Sequence, residues 1–202
     1  MSKGDDTRQA ILARAFELAT TIGLRGLSIG RLAEELDMSK TGVFAHFGSK
    51  EALEVAVVEE ASRQFVQAVM VPALREPRGE PRVRALCERW LEWGQRPGGC
   101  FFVAASAELD DRPGPPRDAL VRAIKDWIDE LAKAVRIAIR EGHFRTDLDC
   151  DQVAFELYGA MLGGHTFMQF LRDPDALTRI RTAIDRLILS SRRSSHASHG
   201  KK

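Results

Sequence analysis

SIGRLAEELDMSKTGVFAHFGSK, residues 28–50, reads as two short helices set at a sharp angle by a tight turn, with a third helix starting at its end. Ile29, Leu32, Ala33 and Leu36 fall at i, i+3, i+4 and i+7, which is one face of a two-turn helix. Asp37 and Met38 then make the turn. Ser39 is placed to cap the second helix, its hydroxyl accepting from an amide of the first turn. That helix buries Val43 and Phe47, four apart, with Phe44 beside them, and leaves Lys40, Thr41, Gly42, Ala45 and His46 facing outward.

A pair this short cannot bury enough surface to stand alone. The segment before it supplies a clamp: Leu12, Ala15, Phe16 and Ala19, continued by Ile22, form an apolar stripe. Asp6 and Gln9 make a capping box at its start, and Gly23 turns the chain at its end. After the pair, Ser49 caps a long helix carrying Val57, Ala61, Phe65 and Ala68, which Pro72 ends near Val71. About twenty residues of helix reach roughly 30 Å.

Two helices joined by a short turn, the second with a polar outer face, form the helix-turn-helix arrangement that lays a recognition helix in the DNA major groove. The run LAEELDMSKTGVFAHFGSKEAL, extended back through TRQAILARAFELATTIGLRGLSI, resembles the operator-binding segment of the TetR/AcrR family of bacterial transcriptional regulators, over residues 7–57. The resemblance implies that Ser39, Lys40, Thr41 and Gly42 open the base-reading turn. It also implies that Ser28, His46 and Lys50 hold phosphates, Lys50 from a helix N-terminus whose amides favour an anion. Three positions depart from the family pattern. Asp37 stands where glycine is common, and aspartate tolerates the left-handed backbone the turn needs. Ala45 replaces a frequent aromatic phosphate contact and Gly42 a frequent threonine, so operator specificity does not carry over.

The remaining chain continues the all-α pattern, with nine helices and no strand in total. Residues 5–70 form the expected helix-turn-helix domain with its connecting helix, 71–190 a ligand-binding and dimerisation bundle, and 191–202 a disordered polar tail. REPRGEPR, residues 75–82, reads as a proline-broken linker. Trp90, Trp93, Phe101 and Phe102 cluster around the Gly98-Gly99 break. With Trp127, Met161 and Phe167, and with His165 as a polar contact, they either line an effector pocket or fill the core. Gly159, Ala160, Gly163 and Gly164 give the penultimate helix a flat face, to which Ala154, Leu157 and Met168 add apolar area. That face serves a second copy or the chain's own packing.

Composition excludes several alternatives. Of 202 residues, 44% are hydrophobic, enough for a substantial core. Thirty basic side chains face 29 acidic ones, so DNA binding must come from the placement of a few groups, doubled by a partner, and not from bulk charge. No apolar run has the length of a membrane span, and MSKGDDTRQ has no apolar leader segment, which points to the cytoplasm. Cys87, Cys100 and Cys150 lack any CxxC or metal-ligand spacing, so neither metal nor cofactor is expected. Cys100 precedes a helix whose N-terminus is placed to lower its pKa, against the usual reading of a free cysteine as an inert core residue. HExxH, GxxxxGKS and GxGxxG are all missing, and Glu108, Asp110 and Asp111 read as solvated loop charges. The expected function is a dimeric, ligand-responsive repressor of a palindromic operator on double-stranded DNA, with a small apolar or amphipathic effector. The rival readings are an enzyme using the C-terminal cavity and a redox sensor on Cys100.

Overall fold

The structure, a computed structural model, describes residues 3–193. Among these residues all regular structure is helical, in nine helices. They are α1 Lys3–Gly26, α2 Ile29–Glu35, α3 Lys40–Phe47, α4 Lys50–Phe65, α5 Glu80–Gly94, α6 Phe101–Leu109, α7 Pro115–Arg140, α8 Cys150–His165 and α9 Ala176–Ser191. Two of them run on through a widened turn: α4 through Val66–Met70 into Val71–Arg75, and α8 through Thr166–Phe170. An isolated antiparallel bridge joins Phe144 and Arg192. The chain gathers into two compact units, one holding the residues up to Val69 together with Glu92–Asp126, the other Met70–Leu91 with the residues from Trp127 onward.

In the first unit α1 is the clamp that the stripe predicts. Leu12, Ala15, Phe16 and Ala19 are buried, with Ile11 and Leu18 beside them, and the helix packs on α2, α4 and α6. It begins at Lys3, ahead of the expected capping box, so Asp5 and Asp6 instead fall in its first turn, where carboxylates offset the helix dipole. Gly23, at φ 76 and ψ 165, breaks the helix before a last half-turn. In α4, Leu53, Val57, Ala61 and Phe65 point inward at four-residue steps. Pro72 does not end this helix. The widened turn before it relieves the clash between a proline ring and the carbonyl one turn back, and the helix runs on to Arg75.

In the second unit residues 75–82 are pinned, not a loose linker. Gly79 takes φ 98 against the His143 ring, and the Glu80 amide donates to His143 Nδ1 at 3.0 Å. The Glu80 carboxylate receives Arg84 Nε at 2.7 Å and Arg192 Nη2 at 2.6 Å, closing the end of α9 onto the start of α5. Hydrogen bonds from Arg192, then from Arg84, hold its pKa down at about 2, from an ordinary 4.5, against the opposing effect of burial. A depressed carboxylate contributes stability above its unfolded pKa and loses it as pH falls through the folded one. Unfolding free energies from urea titrations should therefore fall between about pH 4.5 and pH 2 more steeply in the wild type than in Glu80→Gln, by about 2 kcal/mol after screening around the exposed arginines. Equal slopes would remove this account of the clasp.

α8 packs on α9, with Ala154, Leu157 and Met161 buried on one helix and Ile180, Ile184 and Ile188 on the other. Residues 191–193, expected to open the disordered tail, are instead packed and hydrogen-bonded. Ser191 is buried at the end of α9, its carbonyl accepts from the Arg145 amide at 3.0 Å, and the Arg193 amide donates to the His143 carbonyl at 3.1 Å. Residues 194–202 lie outside the described residues.

Candidate nucleic-acid interface

Each helix from α2 to α4 opens on a serine cap. Ser28 Oγ accepts from the Arg31 amide at 3.1 Å, Ser39 Oγ from Gly42 at 3.0 Å and Ser49 Oγ from Ala52 at 3.0 Å. Accepting with a lone pair leaves each hydroxyl hydrogen available to donate outward. The Ser28 and Ser39 hydroxyls can therefore cap a helix and still reach a phosphate. Asp37 takes φ 51, and the Met38 amide donates back to the Ala33 carbonyl at 2.9 Å, which closes α2 and starts the turn. Gly48, at φ 73, ends α3 with its amide on the Phe44 carbonyl at 2.7 Å.

This frame turns Val43 and Phe47 inward, Phe47 beneath the Arg8 guanidinium at 5.1 Å, and leaves Lys40, Thr41 and Ala45 exposed. Gly42 is half-buried because Ser39 Oγ sits 3.1 Å from where its Cβ would stand. His46 is also half-buried. Phe44 does not join the buried pair: it lies one residue, about 100°, round the helix from Val43 and is 50% exposed.

The N-terminal ends of α2 and α3 border an open polar groove of about 820 Å3, lined by Ser28, Gly30, Arg31, Glu34, Glu35 and Lys40. Ser28 and Lys40, predicted separately, meet there. The Lys40 stem lies over Gly30, where a Cβ would come 3.2 Å from its Cε. Arg31 is a basic group of this groove that the helical pattern did not single out; its signal was being the one cation on α2. Glu35 is partly neutralised by Arg14 of α1, which holds it at 2.5 Å and Glu17 at 2.9 Å, and the hydrogen bond from Arg14 lowers the Glu35 pKa.

Lys50, expected to hold a phosphate, is also engaged behind the groove. Its Nζ donates to the Arg25 carbonyl at 3.1 Å and lies 3.7 Å from Glu54 Oε1. Glu54 is fully buried on α4, and Arg112 reaches its other oxygen at 2.9 Å. Glu108 completes the set, because its Oε2 accepts from the Arg25 amide at 2.7 Å. It is a half-buried residue of α6 rather than a solvated loop charge, so one residue, Arg25 in the last turn of α1, is gripped by Lys50 at its carbonyl and by Glu108 at its amide. Removing one partner from a buried carboxylate costs more than the pair contributes. Arg112→Ala should lower unfolding stability by about 2 kcal/mol, since Arg112 itself is partly exposed, and Arg112→Ala with Glu54→Leu should recover part of that loss in chemical denaturation. A double variant weaker than the single would count against a buried-charge origin.

The other expected sites fall out as follows. Trp93, Phe101 and Phe102 come together in the first unit, with Phe65 edge-on to Trp93 and to Phe102 at 5.5 Å and Phe16 at 5.7 Å from Phe101. Trp90, Trp127 and Met161 are buried in the second unit, whereas Phe167 is 44% exposed. His165 is buried on α8, and burial pushes its pKa down, as for a neutral core histidine. Of the proposed dimer face, Ala154, Leu157 and Gly164 turn into the chain's own packing; Gly164 is pressed against Ile180 of α9. Gly159 and Gly163 are exposed, and Ala160 and Met168 half-exposed. Cys100 is buried and its thiol is pushed up by desolvation, which outweighs the Val103 and Phe102 amides at the helix start; Cys87, also buried, is pushed up to about 12. Of the two readings of Cys100, an activated thiol at a helix start and an inert core residue, burial therefore favours the second. Among the described residues no group of three His, Cys, Asp or Glu side chains is placed to hold a metal, and no helix is long and apolar enough to cross a membrane.

Comparison with known proteins agrees with this geometry. A family profile described as bacterial regulatory proteins, tetR family, matches residues 11–57, and one described as tetracyclin repressor-like, C-terminal domain, matches residues 79–184, more than half of the chain. The HTH-type transcriptional repressor NemR of Escherichia coli (strain K12) is 28% identical over 189 residues, covering 89% of this chain and 94% of that protein. The HTH-type transcriptional repressor DhaR of Mycobacterium sp. (strain GP1) is 23% identical over 189 residues, covering 91% and 93%. Among solved structures, a TetR transcriptional regulator from Chloroflexus aurantiacus superimposes with a TM-score of 0.83 at 25% identity, covering 94% of this chain and 96% of that one.

Proposed function

The chain belongs to the tetR family of bacterial regulatory proteins, and on that premise we propose that it is a ligand-responsive repressor that binds a twofold-symmetric operator as a homodimer. The observation that carries the reading is the first turn of α3. Lys40 and Thr41 stand exposed on a helix whose start is fixed by the Ser39 cap and whose far side is locked by Val43 and Phe47. In this reading Lys40 and Thr41 reach base edges, Gly42 lets the backbone approach, and exposed Phe44 meets a thymine methyl or a sugar. Ser28, Ser39, Arg31, His46 and Lys50 hold phosphates on either side. A protein of this kind works at the nucleoid in the cytoplasm and has no need of catalysis.

Dimerisation uses the outer strip of α8, where Phe155 is 68% exposed beside Gly159 and Gly163, together with Phe170, 82% exposed, and Leu189 of α9. Exposed aromatic area of this kind beside glycines suits a second copy of the same helix pair. The effector is a small apolar or amphipathic molecule taken up by the C-terminal half, where Trp90, Trp127, Met161 and His165 are candidate contacts. Its signal reaches α2 and α3 through α6 and the loop after it, since Glu108 and Arg112 hold Arg25 and Glu54. A coupling of about 1 to 3 kcal/mol lowers operator affinity some 5- to 150-fold.

Selection of bound duplexes from a random DNA library tests the proposal. The enriched sites should be palindromic, with half-sites one helical turn or a multiple apart, and should carry an even number of chains. Enrichment of asymmetric sites, or none at all, would overturn it.

A further inference from the structure

Besides the groove at α2 and α3, the first unit contains a cleft of about 470 Å3 between α1 and the turn joining α5 to α6. Its apolar lining includes Phe16, Leu18, Trp93 and Phe101. Pro97 and Gly99 form the rim, and Gly98 beside them passes so close to the Thr20 carbonyl of α1 that no Cβ would fit. At this point the wall is backbone packed against backbone.

The charges of this cleft are unbalanced. Arg14 and Glu17 line it but already pair with each other at 2.9 Å. Arg96 also lines it, and its guanidinium lies 4.0 Å over the Trp93 ring. Among the described residues it has no carboxylate partner. Partial burial lowers its pKa, the sign of a cation whose hydration is not replaced by a counter-charge. A guanidinium stacked on an indole keeps its edge donors available for a planar anion, and a carboxylate accepts two of them at once.

We infer that this cleft is a binding site for an apolar molecule bearing a carboxylate, with the carboxylate on Arg96 and the apolar body against Phe16, Trp93 and Phe101. Binding in the cleft stands on the geometry alone, whereas its consequence for DNA rests on the function proposed above. Arg14 on the cleft wall also holds Glu35, which lines the α2–α3 groove beside Lys40. A carboxylate held on Arg96 adds a negative charge to the cleft that Arg14 also lines, which draws Arg14 from Glu35, uncovers the Glu35 carboxylate in the groove and weakens the hold on phosphates.

Decanoate and decan-1-ol, titrated calorimetrically into the full-length protein below their aggregation limits, test the inference. The wild type should bind one decanoate per chain, at least about tenfold more tightly than decanol. Arg96→Gln should weaken decanoate about tenfold and leave decanol unchanged, because a charge-assisted pair to a carboxylate is lost while the apolar contacts stay. Thr21→Trp, which fills the cleft from α1, should abolish both. Thermal melts of each variant confirm folding. Decanoate binding that is absent in the wild type, or unaffected by both substitutions, overturns the site. Ligand-free operator affinity, measured on the same proteins, should be equal in the wild type and Arg96→Gln. If the wild type binds no operator, the regulatory reading fails while the calorimetry still decides the cleft.

Discussion

Operator affinity should fall about a thousandfold when Lys40 and Thr41 are both replaced by alanine. A good base contact is worth about 1 to 3 kcal/mol. Two side chains in each of two copies give about 4 kcal/mol at the low end of that range, which is three decades in Kd. Both residues are exposed on α3, and neither takes part in the cap or in the buried Val43–Phe47 face, so the melting temperature should not move. Anisotropy titrations at fixed salt on a selected palindrome give the result. A loss below tenfold in a protein that melts normally would show that the first turn of α3 does not read the bases. A salt series refines the assignment, since a residue that only neutralised phosphates would flatten the salt dependence and weaken all sequences alike.

The second large effect concerns stability. Gly23→Ala should destabilise the protein by about 4 kcal/mol. At φ 76 and ψ 165 the backbone lies in a region that only glycine occupies readily, and an alanine there bears strain of about 1 to 3 kcal/mol. Its Cβ would also overlap the Glu108 carboxylate, forcing that group off the Arg25 amide and losing a charge-assisted hydrogen bond of about 1.5 to 3 kcal/mol. Urea unfolding provides the measurement. Replacing Glu108 by alanine as well should recover the steric part and leave the strain. If Gly23→Ala is neutral, the break in α1 is not held by this contact.

What could be read from the chain was set by distance along it. The caps at Ser28, Ser39 and Ser49 bond to amides three residues on, and the left-handed Asp37 sits beside its own turn, so local pattern sufficed. Phe44 was misplaced because adjacency in sequence is a rotation of about 100° on a helix. The small residues of α8 were pooled into one face although they fall on two. Ala154, Leu157, Met161 and Gly164 follow one inward line, while Phe155, Gly159 and Gly163 follow an outward one. Periodicity shows that a glycine permits close approach but not which helix approaches, and for Gly164 it is α9 of the same chain. The carboxylates were the least legible. Glu54 finds Arg112 at a separation of 58 residues and Glu108 finds Arg25 at 83, and no helical pattern encodes such pairs. Arg96 was passed over for the same reason, since its place over Trp93 beside α1 depends on how the turn folds back.

The grip of Glu108 and Arg112 on the start of the chain also fixes an order of assembly. A ribosome releases the helix-turn-helix segment long before residue 112 has emerged, and until then Glu54 has no arginine and the Arg25 amide no carboxylate. Contacts of such sequence separation form late and slow folding. The nascent N-terminal third should therefore be a half-finished object, open to proteases and unable to occupy DNA. For the same reason it is not a portable module: a chimera that exchanges this segment between relatives must carry residues 92–126 with it to keep its fold.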